Sequence, residues 1–214
     1  LIALDVGLLA PMFAFVGVVL IVFTKQPKFQ HVGQIMAGLG VLFIGMDKMS
    51  SSMSPLRESE AFVSLMSNFS NPVLGILFGA LFTAVIQSSS ASVGILQTLA
   101  AGGVIPFSSA VFVLFGQNIG TCITAVLASL RANFTARRVA VAHVMFNVIG
   151  SIIFVLFMHW FIKIVMLVSP SGDIARQIAN AHSAFNIINT LLFMPFVDPF
   201  IKLIQRLVPG DAVG

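Results

Sequence analysis

Five hydroxyl or amide side chains crowd into one short run: Gln87, Ser88, Ser89, Ser90 and Ser92. A second polar group follows at Gly116-Gln117-Asn118-Ile119-Gly120-Thr121, with Thr124 just beyond it. The sequence around both is apolar, and no Asp, Glu, Lys, Arg or His occurs from Ala61 to Leu130. Hydroxyls donate and accept hydrogen bonds, so they suit an oxyanion; amide and hydroxyl oxygens are hard neutral ligands of the kind an alkali cation accepts. An anion bound here has no fixed counter-charge, so a mobile cation must neutralise it. Each ion then lowers the electrostatic cost of binding the other.

The backbone must open for these groups to act. Serine competes for main-chain hydrogen bonds and weakens a helix interior, so the sequence predicts a helix ending near Ile86, a bare turn, and a new helix from near Ser90. Asn71-Pro72 starts the first arm, with proline at its expected first helical position. Residues 72–86 and 90–102 each cover only about 20 Å at 1.5 Å per residue, so neither spans a bilayer alone. A re-entrant helical hairpin over 72–102, with Gln87–Ser90 at its tip, fits best. Two glycines and an amide pair within six residues predict a second broken helix over 107–130. Paired breaks near the membrane midplane are a transporter device. The half-helices starting after Ser89 and after Gly120 would aim positive dipole ends at an anion. Those ending near Ile86 and Phe115 would offer free carbonyls to a cation.

The whole chain is of membrane type. It has 214 residues, 58% hydrophobic and 8% charged, against roughly 25% charged in a soluble domain. A net charge of +4 is too small and dispersed for a nucleic-acid partner. Its one cysteine, Cys122, allows no internal disulfide. Further spans are expected at residues 1–24, 31–49, 139–168 and 174–197, with a short amphipathic helix within 50–71 and an amphipathic tail carrying Lys202 and Arg206. Glycines 33, 38, 40 and 45 suggest close helix contact in the second span. With the hairpin re-entrant, Lys25, Lys28, Arg131, Arg137, Arg138, Lys202 and Arg206 fall on one side, as the positive-inside tendency requires. Leu1 is not methionine, and the chain reads as a piece of something longer.

A smaller repeat pairs Ala142-His143-Val144-Met145-Phe146-Asn147 with Ala181-His182-Ser183-Ala184-Phe185-Asn186. In each, His and Asn share a helix face, and hydrogen bonding between two antiparallel spans is the expected role. Two histidines without a third ligand are a weak metal signal. No carboxylate is placed to orient either beside Ser88–Ser90, so a serine nucleophile is not supported and the chain is not read as an enzyme.

The Gln87-Ser88-Ser89-Ser90 and Gly116-to-Thr121 motifs together resemble the type II sodium-dependent phosphate cotransporter family. The run Arg137-Arg138-Val139-Ala140-Val141-Ala142-His143 with Phe146-Asn147 is similar to its bacterial branch, in the second repeat. The resemblance implies an all-α polytopic membrane protein, one half of an inverted-repeat transporter, in the cell membrane and with no cofactor beyond Na+ as coupling ion. Residues 1–24 would end the preceding half and residues 25–214 would form the repeat. Phosphate would then meet Ser88, Ser89, Ser90, Gln117, Asn118 and Thr121. Sodium would meet Gln87, Ser88, Ser90, Ser92, Asn118, Thr121 and Thr124. Cys122 and Ile123 stand where animal members often carry Thr. The family's motifs occur once here and twice in a working transporter, so a first-half repeat in the same or another chain, or a second copy, is the expected partner. The bacterial inner membrane is the expected location. Carriage of another small oxyanion, or a non-transporting membrane subunit, are the competing readings.

Overall fold

The computed structural model describes residues 9–52 and 68–210, and every regular element among them is helical. The predicted amphipathic helix within 50–71 lies largely outside the described residues; its last part is a 3-10 turn at Asn68–Ser70. Two helices, α1 (Ala10–Phe23) and α2 (Pro27–Ser52), form an antiparallel pair. Gly17 of α1 lies against Gly33 and Ala37 of α2, and Gly40 lies against Ala10 and Ala14. Gly38 and Gly45, also expected at a helix contact, have nothing among the described residues within 4 Å of where a Cβ would be.

Helix α3 (Pro72–Ile86) begins where the sequence predicts. The Asn71 side chain accepts from the Val73 and Leu74 N–H groups at 3.0 and 3.4 Å, satisfying donors that a helix start leaves without partners. It ends because Gln87 takes the left-handed conformation, φ 58° and ψ 22°, with its N–H on the Thr83 carbonyl at 2.7 Å. Ser88 is then the N-cap of α4 (Ser89–Ala101), its hydroxyl accepting from Ala91 N–H at 3.3 Å. A turn of two residues thus reverses the chain.

Helix α5 (Phe107–Thr121) runs parallel to α3 and antiparallel to α4. Gly75 meets Phe112, Gly79 meets Val113, Gly116 meets Ile76 and Ala80, and Gly120 meets Ala80 and Thr83. Four small residues at spacing four on two facing helices let the backbones touch, the geometry of close helix pairs in membranes. The chain continues past the α3–α4 turn as α6 (Ile123–Ser129), roughly 13 Å farther at 1.5 Å per residue. The hairpin therefore opens at the end where α5 starts and reaches only part of the way along α5 and α6 together.

The helix interruption expected between Gly116 and Gly120 falls elsewhere. Helix α5 is continuous through that motif, and only Cys122 departs, with φ −67° and ψ −14° and its N–H on the Ile119 carbonyl at 3.1 Å. This is one tight turn rather than an opened break. The short helix α6 does start three residues after Gly120, but no half-helix ends at Phe115, and Gly116 and Gly120 lie within α5 against α3.

The helix expected over 139–168 is two: α7 (Phe134–Leu156) and α8 (Met158–Leu167), meeting at Phe157. Asn133 caps α7 by accepting from Ala136 N–H at 3.0 Å, so the helix starts five residues early and carries Arg137 and Arg138. The last predicted span is α9 (Ile174–Phe193), a 3-10 turn at Met194–Phe196 and α10 (Val197–Leu207). Pro199 does not stop the chain; it sits in the first turn of α10, where its missing N–H is no loss.

Four rings hold this half together. Phe115 (α5), Phe154 (α7), Phe161 (α8) and Phe185 (α9) are buried, with centroids 4.9–6.0 Å apart in the contacting pairs. Such pairs add about 0.5–1.5 kcal/mol beyond their area. Among the described residues, three stretches are long and apolar enough to cross a membrane: Phe107–Ser129, Phe134–Leu156 and Ile174–Leu207.

Candidate functional site

The hairpin tip and α5 are joined by one side chain. Gln117 is 1% exposed, and its Nε2 donates to the Ser92 carbonyl of α4 at 2.9 Å. Its Oε1 has no hydrogen-bond partner. Neither has the Ser92 hydroxyl nor that of Thr83 on α3, and both residues are fully buried. Thr83 was not singled out by the sequence, where it reads as one polar residue in an apolar arm. It gains its place from Gly120, whose missing side chain brings α5 up to the Thr83 Cβ. Buried polar atoms are nearly always satisfied by protein, water or an ion; these three open oxygens lie on three adjacent helices, and the Gln97, Ser109 and Asn189 oxygens are likewise without a partner elsewhere among the described residues.

Above them lies the tip itself. Gln87 and Ser90 are exposed, and Ser88 and Ser89 half-buried. Three hydroxyls and the first N–H groups of α4 occupy one turn there, so the tip can donate to an anion, while the layer beneath holds the Thr83 and Ser92 hydroxyls and the Gln117 amide oxygen, all able to face a cation.

The remaining expected residues are arranged differently. Asn118 is buried with its Nδ2 on the Leu114 carbonyl at 3.2 Å. Thr121 Oγ1 donates to the Gln117 carbonyl at 2.9 Å, and Thr124 Oγ1 to the Thr121 carbonyl at 3.3 Å. These are local back-bonds to the helix's own carbonyls, the usual resort of a polar side chain inside an unbroken helix. Thr124 is exposed. The structure brings Ser92 and Gln117 together and adds Thr83; Thr124 it leaves on the outer face.

The repeat in α7 and α9 works through its asparagines. Neither the His143 nor the His182 imidazole makes a hydrogen bond among the described residues, which corrects the expected interhelical role. Asn147 Nδ2 instead reaches Cys122 Sγ at 3.4 Å and the His143 carbonyl at 3.0 Å, tying α7 to the turn between α5 and α6. Asn189, outside the repeat, donates to the Phe146 carbonyl at 3.1 Å and packs on Gly150. We expect His143→Ala and His182→Ala to leave the melting temperature nearly unchanged. Asn189→Ala should lower it by more, since polar contacts between membrane helices average about 0.6 kcal/mol and reach about 1.7. Thermal melts of the three purified variants check the order.

The family model described as Na+/Pi-cotransporter matches residues 1–51 and 44–190. The chain is 30% identical over 156 residues to the Escherichia coli (strain K12) protein named "Putative inorganic phosphate export protein YjbB", covering 72% of this chain and 29% of that protein. It is 35% identical over 140 residues to YqeW of Bacillus subtilis (strain 168), covering 63% of this chain and 44% of that protein. It is 34% identical over 107 residues to the Homo sapiens "Sodium-dependent phosphate transport protein 2B", covering 48% of this chain and 16% of that protein. The chain thus spans less than half the length of these relatives. No solved structure matches it.

Proposed function

We propose, from the premise that the chain belongs to the Na+/Pi-cotransporter family, which is one of transporters and not of enzymes, that it forms the ion-binding part of a sodium-coupled phosphate carrier. The observation that carries this reading is the stacked pair of polar layers at the α3–α4 turn. Hydroxyls and N–H groups lie at the tip, and unpartnered oxygens of Thr83, Ser92 and Gln117 lie beneath it. Phosphate binds at Ser88, Ser89 and Ser90, where donors converge. Sodium binds at the inner side of the turn, with Gln87, Ser92 and Gln117 within reach of the same ion path, and Asn118 and Thr121 on the facing turn of α5. No charged residue occurs between Ala61 and Leu130, so sodium supplies the counter-charge that phosphate needs.

The hairpin is re-entrant in this reading. Two features support it: its arms are short, and α5 with α6 extends well past its tip. Arg138 donates to the Val208 and Gly210 carbonyls at 3.1 and 2.6 Å, so the arginine loop and the end of α10 share one end of the molecule, as expected of a cytoplasmic face. In this reading residues 1–24 end the preceding repeat and residues 25–214 form the next one, a division that the two overlapping family matches, over 1–51 and 44–190, do not themselves draw. The exposed stripe Val73, Leu77, Leu81 and Val85 on α3 suits either lipid or the companion repeat.

Phosphate flux into vesicles holding the full-length protein tests the function. Flux should require a sodium gradient and should not be replaced by potassium. Sulfate carried at the same rate as phosphate would shift the reading to another oxyanion, and absence of any sodium-dependent flux would overturn it.

A further inference from the structure

The last helix, α10, lies beyond residue 190, where the match to the family ends. It segregates its side chains: Phe200, Leu203, Ile204 and Leu207 on one side, and Asp198, Lys202, Gln205 and Arg206 on the other. Ile204 is buried. Between α10, α7 and the end of α9 is a groove of about 370 Å³, lined by Ile149, Ile153, Phe193, Phe196, Phe200 and Leu203 among others, all apolar. That is the size of a small-molecule site.

We propose that this groove binds an anionic phospholipid, one acyl chain lying along Ile149 and Ile153 and the phosphate head group held by Lys202 and Arg206. The groove rim on α10 carries Pro199 and Leu203. Lys202 follows Pro199 by three residues and Arg206 follows Leu203 by three, so each cation sits one helical turn along the rim from an apolar lining residue. Both are exposed and form no ion pair among the described residues. Asp198, one turn before Lys202, is the acidic group on that face, and the three leave it net positive. The site is also fixed in place. Arg138 is committed to the carbonyls of Val208 and Gly210, and Phe134 packs on Gly210; both pin the end of α10 to the start of α7. The head group therefore lies toward that basic end, near Arg137, and the chain runs into the hydrocarbon. A second copy of the protein is a poor occupant, because a two-fold contact would set the same basic rim against itself. This inference rests on the membrane location and not on what is transported, so it stands or falls separately from the phosphate reading.

The test uses purified full-length protein in detergent, with native mass spectrometry and thermal melts. The probes are dioleoyl phosphatidylglycerol, phosphatidylcholine of the same chains, and glycerol 3-phosphate. Phosphatidylglycerol should be retained and should raise the melting temperature, phosphatidylcholine much less, and glycerol 3-phosphate not at all. The exposed double variant Lys202→Gln/Arg206→Gln should lower phosphatidylglycerol affinity roughly tenfold or more, to the phosphatidylcholine level, given the attraction of each basic residue to anionic lipid. Asp198→Asn should raise it. Ile153→Trp, which fills the groove, should lower retention of both lipids. Equal retention of the two lipids by the unmutated protein overturns the proposal. So does stabilisation by glycerol 3-phosphate alone, or a dimer that Ile153→Trp splits without changing lipid retention.

Discussion

Alanine at Gly116 should destabilise the protein, although alanine is the better helix former. A methyl there would lie 2.8 Å from the Ala80 nitrogen and closer still to the Ile76 carbonyl oxygen. Both are backbone atoms of α3, so no side chain can rotate away and the two helices must separate. Overpacking typically costs about 1–3 kcal/mol and sometimes more, against the ~1 kcal/mol that alanine gains in helix propensity. Gly79→Ala should behave alike, since its methyl would meet the Val113 carbonyl. Gly38→Ala and Gly45→Ala are the matched controls: each methyl would meet nothing among the described residues within 4 Å, so both should stabilise by about 0.5–1 kcal/mol. Melting temperatures of the four purified variants decide the signs. A Gly116→Ala protein as stable as the parent, with altered transport, would restore that glycine to a helix break.

That contrast also explains what could be read from the sequence. The turn at Gln87-Ser88 was legible because every local signal agrees there. The α3 arm carries a proline at its start and runs apolar to Ile86, and the serines that follow cap the next helix. Glycine spacing was ambiguous. Gly116 and Gly120 fit an opened helix and a close helix pair equally well, and only the partner glycines Gly75 and Gly79 on another helix decide between them. Cys122 gives no sequence signal for the turn it makes. Phe157 likewise reads as one more apolar residue in a long run. The repeat in α7 and α9 drew notice to its histidines because imidazole chemistry is conspicuous. The contacts instead fall to Asn147 and Asn189, whose amides reach carbonyl or sulfur on a neighbouring helix. Thr83 was missed because a residue's distance from a second helix is not written in its own neighbourhood.

The other large effect is expected in the sodium dependence of phosphate binding. With no charged residue from Ala61 to Leu130, sodium should raise phosphate affinity, and phosphate should raise sodium affinity by the same factor. Gln117→Leu removes both an open oxygen and the link to Ser92. Leaving a buried partner unsatisfied costs roughly 1–3 kcal/mol, which is about 5- to 150-fold in affinity at 1.4 kcal/mol per decade. Gln87→Ala should weaken both ions, because one amide can offer oxygen to the cation and N–H to the anion. Ser89→Ala and Ser90→Ala should have smaller effects, each removing one hydroxyl. Thr83→Val separates the roles most cleanly, since it keeps the shape and deletes only an unpartnered hydroxyl. If that oxygen served only the core, valine would leave sodium affinity unchanged. As an ion ligand its loss should lower sodium affinity, and through the coupling phosphate affinity, without lowering the melting temperature. Equilibrium phosphate binding at stepped sodium concentrations measures all of these in the full-length protein. Phosphate affinity independent of sodium in the unmutated protein would sink the mechanism, because a fixed counter-charge would then have to lie within reach of the tip.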